Sequence, residues 1–292
     1  MKPILVHVHI YYVDQIDFIL KHLKNITVPY DLYITMISEN PDVVNKIMQF
    51  NPNAHIKIVE NRGYDVWPFI DVINHLNLDD YSYIIKLHTK QKLNNSVRLV
   101  VRNNNKKMVV YGDKWRKILY SILSSSKMFN YILKYFDQNP NVGMIASKYI
   151  THNKPYEFNV VKKLATEKYK NYVFEPTDYY FVVGTMFICR ANIFQPIQKM
   201  NIGIDLFDKP TKSHTAQFAH VMERVFGQVV YHAGYVISDT SNPPLVQTNF
   251  HPIMFIKWGI DKIWRFLYRT EQHKYITRIK IFKITVWYYR NI

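Results

Sequence analysis

The sequence predicts an α/β fold in which a mostly parallel sheet is flanked by helices. Three observations predict it. Short apolar runs recur along the chain, the first with Ile4, Val6, Val8 and Ile10 in alternation, the next at 32–36, 54–59, 83–87 and 142–146. Between them lie segments with apolar residues at helical spacing, such as Ile16, Ile19, Leu20 and Leu23. Strands that alternate with helices are joined by crossovers, and crossovers make neighbouring strands parallel.

The elements follow in order. A helix begins at Asp14, and Pro29 ends that unit. Ser38-Glu39-Asn40-Pro41 is a helix-start signal, with Val43, Val44, Ile47 and Met48 on one face. Pro68 opens a short helix that runs to Leu76. From 90 to 117 the pattern breaks: nine Lys and Arg face the single acid Asp113, with Asn94-Asn95 and Asn103-Asn104-Asn105 among them. This stretch reads as a basic loop or lid inserted in the domain. A helix is expected over about 115–136, and 151–176 is polar and aromatic with a weak helical pattern. A strand pair over 179–189 is broken at Gly184. Helices are expected over 191–200 and 215–226, the second stopped by Gly227, with a final strand at 228–231.

From about Phe250 the composition changes. Trp258, Ile260, Ile263, Trp264 and Phe266 interleave with Lys257, Lys262, Arg265 and Arg269. Such a basic amphipathic tail suits a helix lying on an anionic membrane surface. A helix packed on the domain with Lys and Arg stems along it accounts for the same pattern. The expected division is a domain over 1–245, with its basic insertion at about 90–117, and a tail over 246–292.

Bulk properties bound the function. The 292 residues suit one large domain or one domain with an appendage. The single cysteine, Cys189, lies in the apolar run Phe187-Ile188-Cys189; it forbids an internal disulfide and Cys-rich zinc sites and fits a reducing compartment. Eight glycines leave no glycine-rich phosphate loop. No leader pattern and no apolar run of membrane-spanning length is seen, so a cytoplasmic location is expected. The net charge of +16 fits nucleic acid, anionic lipid or phosphorylated small molecules as partners, or a solvated basic face. No nucleic-acid motif accompanies the charge, and nucleic acid is not expected.

In doubly wound sheets ligands bind beyond the carboxyl ends of the strands. Glu60-Asn61-Arg62-Gly63-Tyr64-Asp65 follows one strand and precedes a helix. Asn61 can read a base or ribose edge, Arg62 can neutralise a phosphate, Gly63 permits a close approach, and Asp65 can accept from a sugar hydroxyl. A capped turn with a Glu60–Arg62 surface pair explains the same residues. Lys86-Leu87-His88-Thr89-Lys90 ends the next strand. Carboxylates spaced Asp-x-Asp would hold a divalent metal against a diphosphate there. This segment offers Lys86, His88 and Lys90 instead, whose charge can stabilise a departing diphosphate without metal. His7 and His9 share a strand face with no acid nearby in sequence, and no metal site is expected. Gly184-Thr185 interrupts an apolar run, as a bulge or as a place for a ligand to approach the backbone. His220 and Glu223 share a helix face and can act as base and orienter, with Asp205 and Asp208 as competing bases.

Taken in order, these segments resemble the rhamnan synthesis protein F family of bacterial polysaccharide glycosyltransferases. The resemblance rests on His7–Tyr12, Pro29–Thr35, Glu60–Phe69, Lys86–Lys90, Asp113–Arg116, Gly184–Phe187 and Ala219–Phe226, and spans roughly residues 4–235. It implies a GT-A-like, Rossmann-related fold and transfer of a sugar, typically rhamnose from a dTDP donor, to a surface polysaccharide such as an O-antigen, capsule or rhamnan. On that reading Asn61, Arg62, Gly63, Asp65, Lys86, His88 and Lys90 serve the nucleotide-sugar donor. Gly184, Thr185 and Trp115 serve a lipid-linked glycan acceptor, and Glu223, His220 or Asp205 moves the proton. No cofactor is expected to be required, a divalent metal (Mg or Mn) being the alternative although no Asp-x-Asp motif is present, and the enzyme would work peripherally at the inner face of the cytoplasmic membrane.

Overall fold

The computed structural model describes residues 2–91, 93–100, 107–148, 151–152, 180–209, 218–240, 268–272, 276–281 and 284–290. The chain divides into two compact units, Met1–Pro244 and Leu245–Ile292. The strands of the first unit are β1 (Ile4–Ile10), β2 (Tyr30–Met36), β3 (His55–Ile58), β4 (Tyr83–His88), β5 (Leu93–Val100), β6 (Lys107–Gly112), β7 (Val142–Ala146), β8 (Thr151–His152), β9 (Phe181–Val182), β10 (Phe187–Arg190) and β11 (Val236–Asp239). Its helices are α1 (Ile16–Leu23), α2 (Pro41–Phe50), α3 (Val66–Asn74), α4 (Lys114–Leu119), α5 (Ser126–Gln138), α6 (Gln195–Lys199) and α7 (Phe218–His232).

Seven strands form the main sheet in the order β11-β7-β10-β4-β1-β2-β3. β1 is parallel to β2 and β4, and β2 to β3. β10 runs antiparallel to both β4 and β7, while β11 is parallel to β7. The sheet is thus mostly parallel with one reversed strand wedged in it. Every residue of β1 and β4 is buried, as expected of central strands covered on both faces.

Local signals explain the helices. Asn40 caps α2, its Oδ1 accepting from Val43 N at 3.1 Å, with Pro41 at the first helical position. Ser125 Oγ caps α5 by accepting from Met128 N at 3.1 Å. α3 and α7 cover one face of the sheet through an aromatic cluster: Phe69 lies edge-on to Phe187, Phe194 and Phe226, with ring centroids 5.0–6.3 Å apart. α5 covers the opposite face, where Phe136 packs 4.9 Å from Tyr83.

The structure departs from the sequence reading in four places. The basic stretch expected as a loop contains two paired strands, with Val97 opposite Val110 and Leu99 opposite Met108. The apolar residues alternating with its cations favour strands. The helix expected over 115–136 is broken: α4 ends at Leu119, a 3-10 turn spans Tyr120–Leu123, and the Ser125 cap starts α5 afresh. The strand expected at 228–231 is helical, because α7 continues through Gly227 to His232 and the strand follows at β11. The tail expected as a helix is, from Tyr268 to Arg290, an antiparallel sheet of β12 (Tyr268–Gln272), β13 (Ile276–Ile281) and β14 (Ile284–Arg290). The β-branched residues Ile276, Thr277, Ile279 and Ile281 of β13 explain that preference. The weakly helical reading of 153–176 and the tail segment 250–267 lie outside the described residues.

Gly227 stays helical because its missing side chain lets α7 press on the chain entering β9. A Cβ there would stand 2.5 Å from the Tyr180 carbonyl oxygen and 2.7 Å from Phe181 Cβ. Replacing Gly227 with Ala is expected to destabilise the protein by about 1–3 kcal/mol through overpacking, measured by denaturant unfolding. The same change at Gly203, which has nothing within 4 Å, should leave stability almost unaltered.

Candidate functional site

Strand order fixes the place. Along β3-β2-β1-β4 the order reverses at β1, so a crevice opens between the carboxyl ends of β1 and β4. Thr89, just past β4, ties these ends: its Oγ1 accepts from Tyr11 N at 2.9 Å and Tyr12 N at 3.0 Å. Gln15 holds the Lys90 backbone from both sides, and Tyr120 donates its hydroxyl to His88 O at 3.0 Å.

Register then gathers polar residues. His7 lies beside Lys86 and His9 beside His88 across β1 and β4, while His9 lies beside Thr35 across β1 and β2. Partners in register share a sheet face. All five are buried on the face that α3 covers.

Asp65 enters from the turn before α3. Gly63 and Tyr64 are both left-handed, with φ of 63° and 55°. Tyr64 bears a cost of about 1–2 kcal/mol for this conformation. Gly63 N donates to Asp208 O at 3.3 Å, and the Phe207 ring occupies the space a Cβ at 63 would need. The turn delivers Asp65 to Lys86. The Lys86 side chain is 0% exposed; its Nζ donates to Asp65 Oδ2 at 2.5 Å, Thr185 Oγ1 at 2.8 Å and Thr185 O at 3.3 Å. All three ammonium protons are therefore used. Thr185 Oγ1 donates to the same Asp65 oxygen, Oδ2. No described group bonds Oδ1, and Asp65 keeps 17% of its side-chain surface exposed. Burial alone would raise the Asp65 pKa, but the charges of His88 and Lys86 and bonds from Lys86 and Thr185 hold it well below the usual 3.8.

Because β10 is reversed, it begins at the edge where β4 ends, and the Gly184-Thr185 turn that leads into it lands in the crevice. Both residues are left-handed, with φ of +80° and +50°. Four side chains fasten them. Lys86 and Asp65 hold Thr185, Glu223 Oε1 accepts from Gly184 N at 2.7 Å, and His88 Nε2 lies 2.7 Å from Gly184 O. The other Glu223 oxygen accepts from Arg224 Nη1 at 2.5 Å.

His88 carries opposing influences. Burial lowers its pKa to about 4. Yet Nδ1 lies 2.8 Å from Thr89 O while Nε2 faces Gly184 O, and only the imidazolium donates to both. With Asp65 Oδ2 at 3.8 Å, the geometry favours the charged ring. His7 and His9 share one hydroxyl: Thr35 Oγ1 is 2.9 Å from His7 Nε2 and 3.0 Å from His9 Nδ1. Burial, together with nearby Lys86, lowers His7 well below 6.5, and burial lowers His9 to about 3.

The remaining sequence-predicted residues are placed as follows. Arg62 faces Glu60 at 3.8 Å, and its buried Nε has no hydrogen-bond partner. Asn61 is half-buried with no side-chain hydrogen bond among the described residues. Lys90 is half-buried at the mouth of the crevice. His220 lies edge-on to Tyr64, with ring centroids 5.7 Å apart. Trp115 is half-buried on α4, one turn before Leu119, whose Cδ2 stands over Gly184. Asp205 is exposed in a 3-10 turn (Ile204–Leu206) and is not brought to the cluster; Asp208 is exposed and reaches Gly63 through its carbonyl. Lys86 and His88 spend their polar atoms on the protein itself, on Asp65, Thr89 and the Gly184-Thr185 turn. Sequence reasoning missed Thr35 as the bridge between His7 and His9; its only signal was its place at the end of the second strand. Among the described residues no group of three or more His, Cys, Asp or Glu is arranged to hold a metal, and no helix is long and apolar enough to cross a membrane.

Comparison with known proteins adds the lineage. Residues 1–235 match the rhamnan synthesis protein F family, RgpF. The chain belongs to that family. WxcX, an uncharacterized protein of Xanthomonas campestris pv. campestris, is 23% identical over 239 residues in each of two strains, B100 and ATCC 33913. That match takes 79% of this chain and 32% of the relative, so this RgpF-family chain spans about a third of the length of the curated relatives it matches. The crystal structure of Staphylococcus aureus TarS residues 1–349 aligns at 10% identity with a TM-score of 0.39, covering 82% of this chain and 58% of that one.

Two outcomes are expected. Lys86→Met leaves the Asp65 charge unpaired in a buried setting and should cost about 3–5 kcal/mol in denaturant unfolding, much of which the Lys86→Met, Asp65→Asn pair should recover. His7 and His9 are neutral in the fold and gain protons only on unfolding, so stability should fall as pH drops below 6.5 toward about 3. Asp65 acts in the same direction lower down, its contribution full above 3.8 and lost as pH falls toward its native value. Unfolding midpoints measured between pH 7 and 4 should show this slope, and His9→Gln should reduce it by about one proton.

Proposed function

We propose that the protein is a metal-independent glycosyltransferase of polysaccharide synthesis that takes a nucleotide sugar, most simply dTDP-rhamnose, and extends a lipid-linked glycan. The observation that carries the reading is the crevice between β1 and β4. An ionised Asp65 presents a free carboxylate oxygen there, and the half-buried cations Arg62 and Lys90 lie on the loops beside it. Membership of the rhamnan synthesis protein F family supports the reaction class. A GT-A-like arrangement agrees with the 3-2-1-4 run of strands.

In this reading Asn61 meets the nucleoside, Arg62 and Lys90 neutralise the diphosphate, and Asp65 accepts from a sugar hydroxyl. Lys86 and His88 position Asp65 and the Gly184-Thr185 turn, against which the acceptor lies with Trp115 near. The bond from the sugar's anomeric carbon to the diphosphate oxygen breaks, and the nucleoside diphosphate leaves with the electron pair. The acceptor hydroxyl oxygen bonds that carbon and its proton passes to Glu223. Work at the inner face of the cytoplasmic membrane is supported by the composition of the tail, where Lys257, Lys262, Arg265 and Arg269 interleave with Trp258, Trp264 and Phe266, a pattern that suits anionic headgroups.

A second reading, a glycan-binding assembly protein without turnover, is favoured by one observation: both Glu223 oxygens already hold protein partners. Glu223→Gln separates the two readings, because the amide oxygen can still accept from Gly184 N while the basic charge is gone. Turnover of dTDP-rhamnose with a lipid-diphosphate glycan, followed without added metal, should drop by about 100-fold or more in this variant. Absence of turnover in the unaltered protein, with glycan bound, supports the second reading instead.

A further inference from the structure

The histidines of β1 take no part in the reaction as drawn. We infer that His9 and Asp65 form a reading pair for one hydroxyl of the nucleotide sugar: His9 Nε2–H donates to the hydroxyl oxygen, and Asp65 Oδ1 accepts its proton. The inference rests on the transferase reading for its ligand and on the protein alone for its geometry.

It begins with an orphan. His7 Nδ1 is buried and has no hydrogen-bond partner. A buried N–H without an acceptor is rarer and costlier than an unfilled lone pair, and the Lys86 ammonium on the neighbouring strand favours the lone pair further. The His7 proton therefore sits on Nε2 and is given to Thr35 Oγ1 at 2.9 Å. Thr35 has one hydroxyl proton of its own, which goes to His9 Nδ1 at 3.0 Å. His9 is then left with its proton on Nε2, the nitrogen that no described side chain engages. One unfilled position at the bottom of the crevice fixes the direction of two hydrogen bonds and the tautomer at the top.

Asp65 supplies the other half. Lys86 and Thr185 converge on Oδ2 and leave Oδ1 open. Oδ2 is 3.8 Å from His88 Nε2, and His9 is the register partner of His88, so His9 and Asp65 border the same space without bonding one another. Asp65 is also the charged group acting most strongly on His9. A donor facing an anionic acceptor selects a group that both takes and gives a hydrogen bond. A hydroxyl does so; a carbonyl has no proton to give, and a phosphate oxygen is repelled by the carboxylate.

Two measurements on the full chain test this. Histidine-15N correlation spectra of the free protein should show the proton on Nε2 in both His7 and His9, and Thr35→Val should turn His9 into a mixture of tautomers. A bare His9 Nε2 in the unaltered protein overturns the inference whatever the donor. In the second, dTDP-rhamnose and the dTDP, UDP and GDP derivatives of glucose are titrated into the unaltered protein and the tightest is carried forward. His9→Leu should weaken that binding about tenfold, the loss of one hydrogen bond, and His9→Gln should recover most of it by placing an amide nitrogen near the old Nε2. Folded His9→Leu protein that binds within about twofold of the unaltered chain overturns the pair, since a hydrogen bond of this kind exceeds that change. Failure of every nucleotide sugar to bind the unaltered protein instead overturns the transferase reading, and with it the ligand named for the pair.

Discussion

The buried ion pair between Lys86 and Asp65 is the constraint on which the rest of the site depends. An ammonium with no exposed surface is tolerable only when a carboxylate and further acceptors replace its water. Asp65 supplies the charge from a left-handed turn, and Thr185 supplies two oxygens from another. Each turn is thereby held in a conformation that a side-chain-bearing residue resists. The pair accordingly determines the shape of the crevice more than it contributes to net stability, because desolvation consumes much of its attraction.

Charge arrangement gives the site its chemical character. Asp65 stays ionised because the cations around it outweigh burial, which makes it a good acceptor and a poor base. Glu223 and His88 grip Gly184 from its two sides, Glu223 at the amide and His88 at the carbonyl. One residue thus connects Glu223 with the ring that lies against Asp65. Substitution at either end of this connection reaches the other through backbone position.

Much of the fold was legible from sequence. The alternation of Ile4–Ile10 with the helical spacing of Ile16–Leu23, repeated through Leu87, fixes β1 to β4 and their helices. The crevice was legible too, since Asp65, Lys86 and His88 all follow or end predicted strands. Pairings made far along the chain were not. Thr185 meets Lys86 across 99 positions and Glu223 meets Gly184 across 39, and no local pattern encodes either. The reversed direction of β10 was hidden because an apolar run of Phe187-Ile188-Cys189 reads the same both ways. Gly227 was misleading for a related reason: glycine ends many helices, but here it serves a close contact with Tyr180 that only the tertiary structure reveals. The cationic stretch after Lys90 read as a loop because its charge outweighed the alternation of Val97, Leu99, Met108 and Val110 in a one-dimensional view.

The reversed strand also governs how the chain matures during synthesis. Domains fold from the N-terminus as they leave the ribosome. By the time His88 has emerged, β1 to β4 are present and Asp65 can meet Lys86. The Thr185 oxygens are still unmade, and the far side of β4 has no partner until β10 arrives. For about 100 residues of translation, on the order of 5–20 seconds at ordinary elongation rates, the nascent chain carries an open sheet edge next to a half-solvated ammonium. A gene fragment cut before Arg190 would keep that defect permanently, so the smallest autonomous unit of this protein extends well beyond β4.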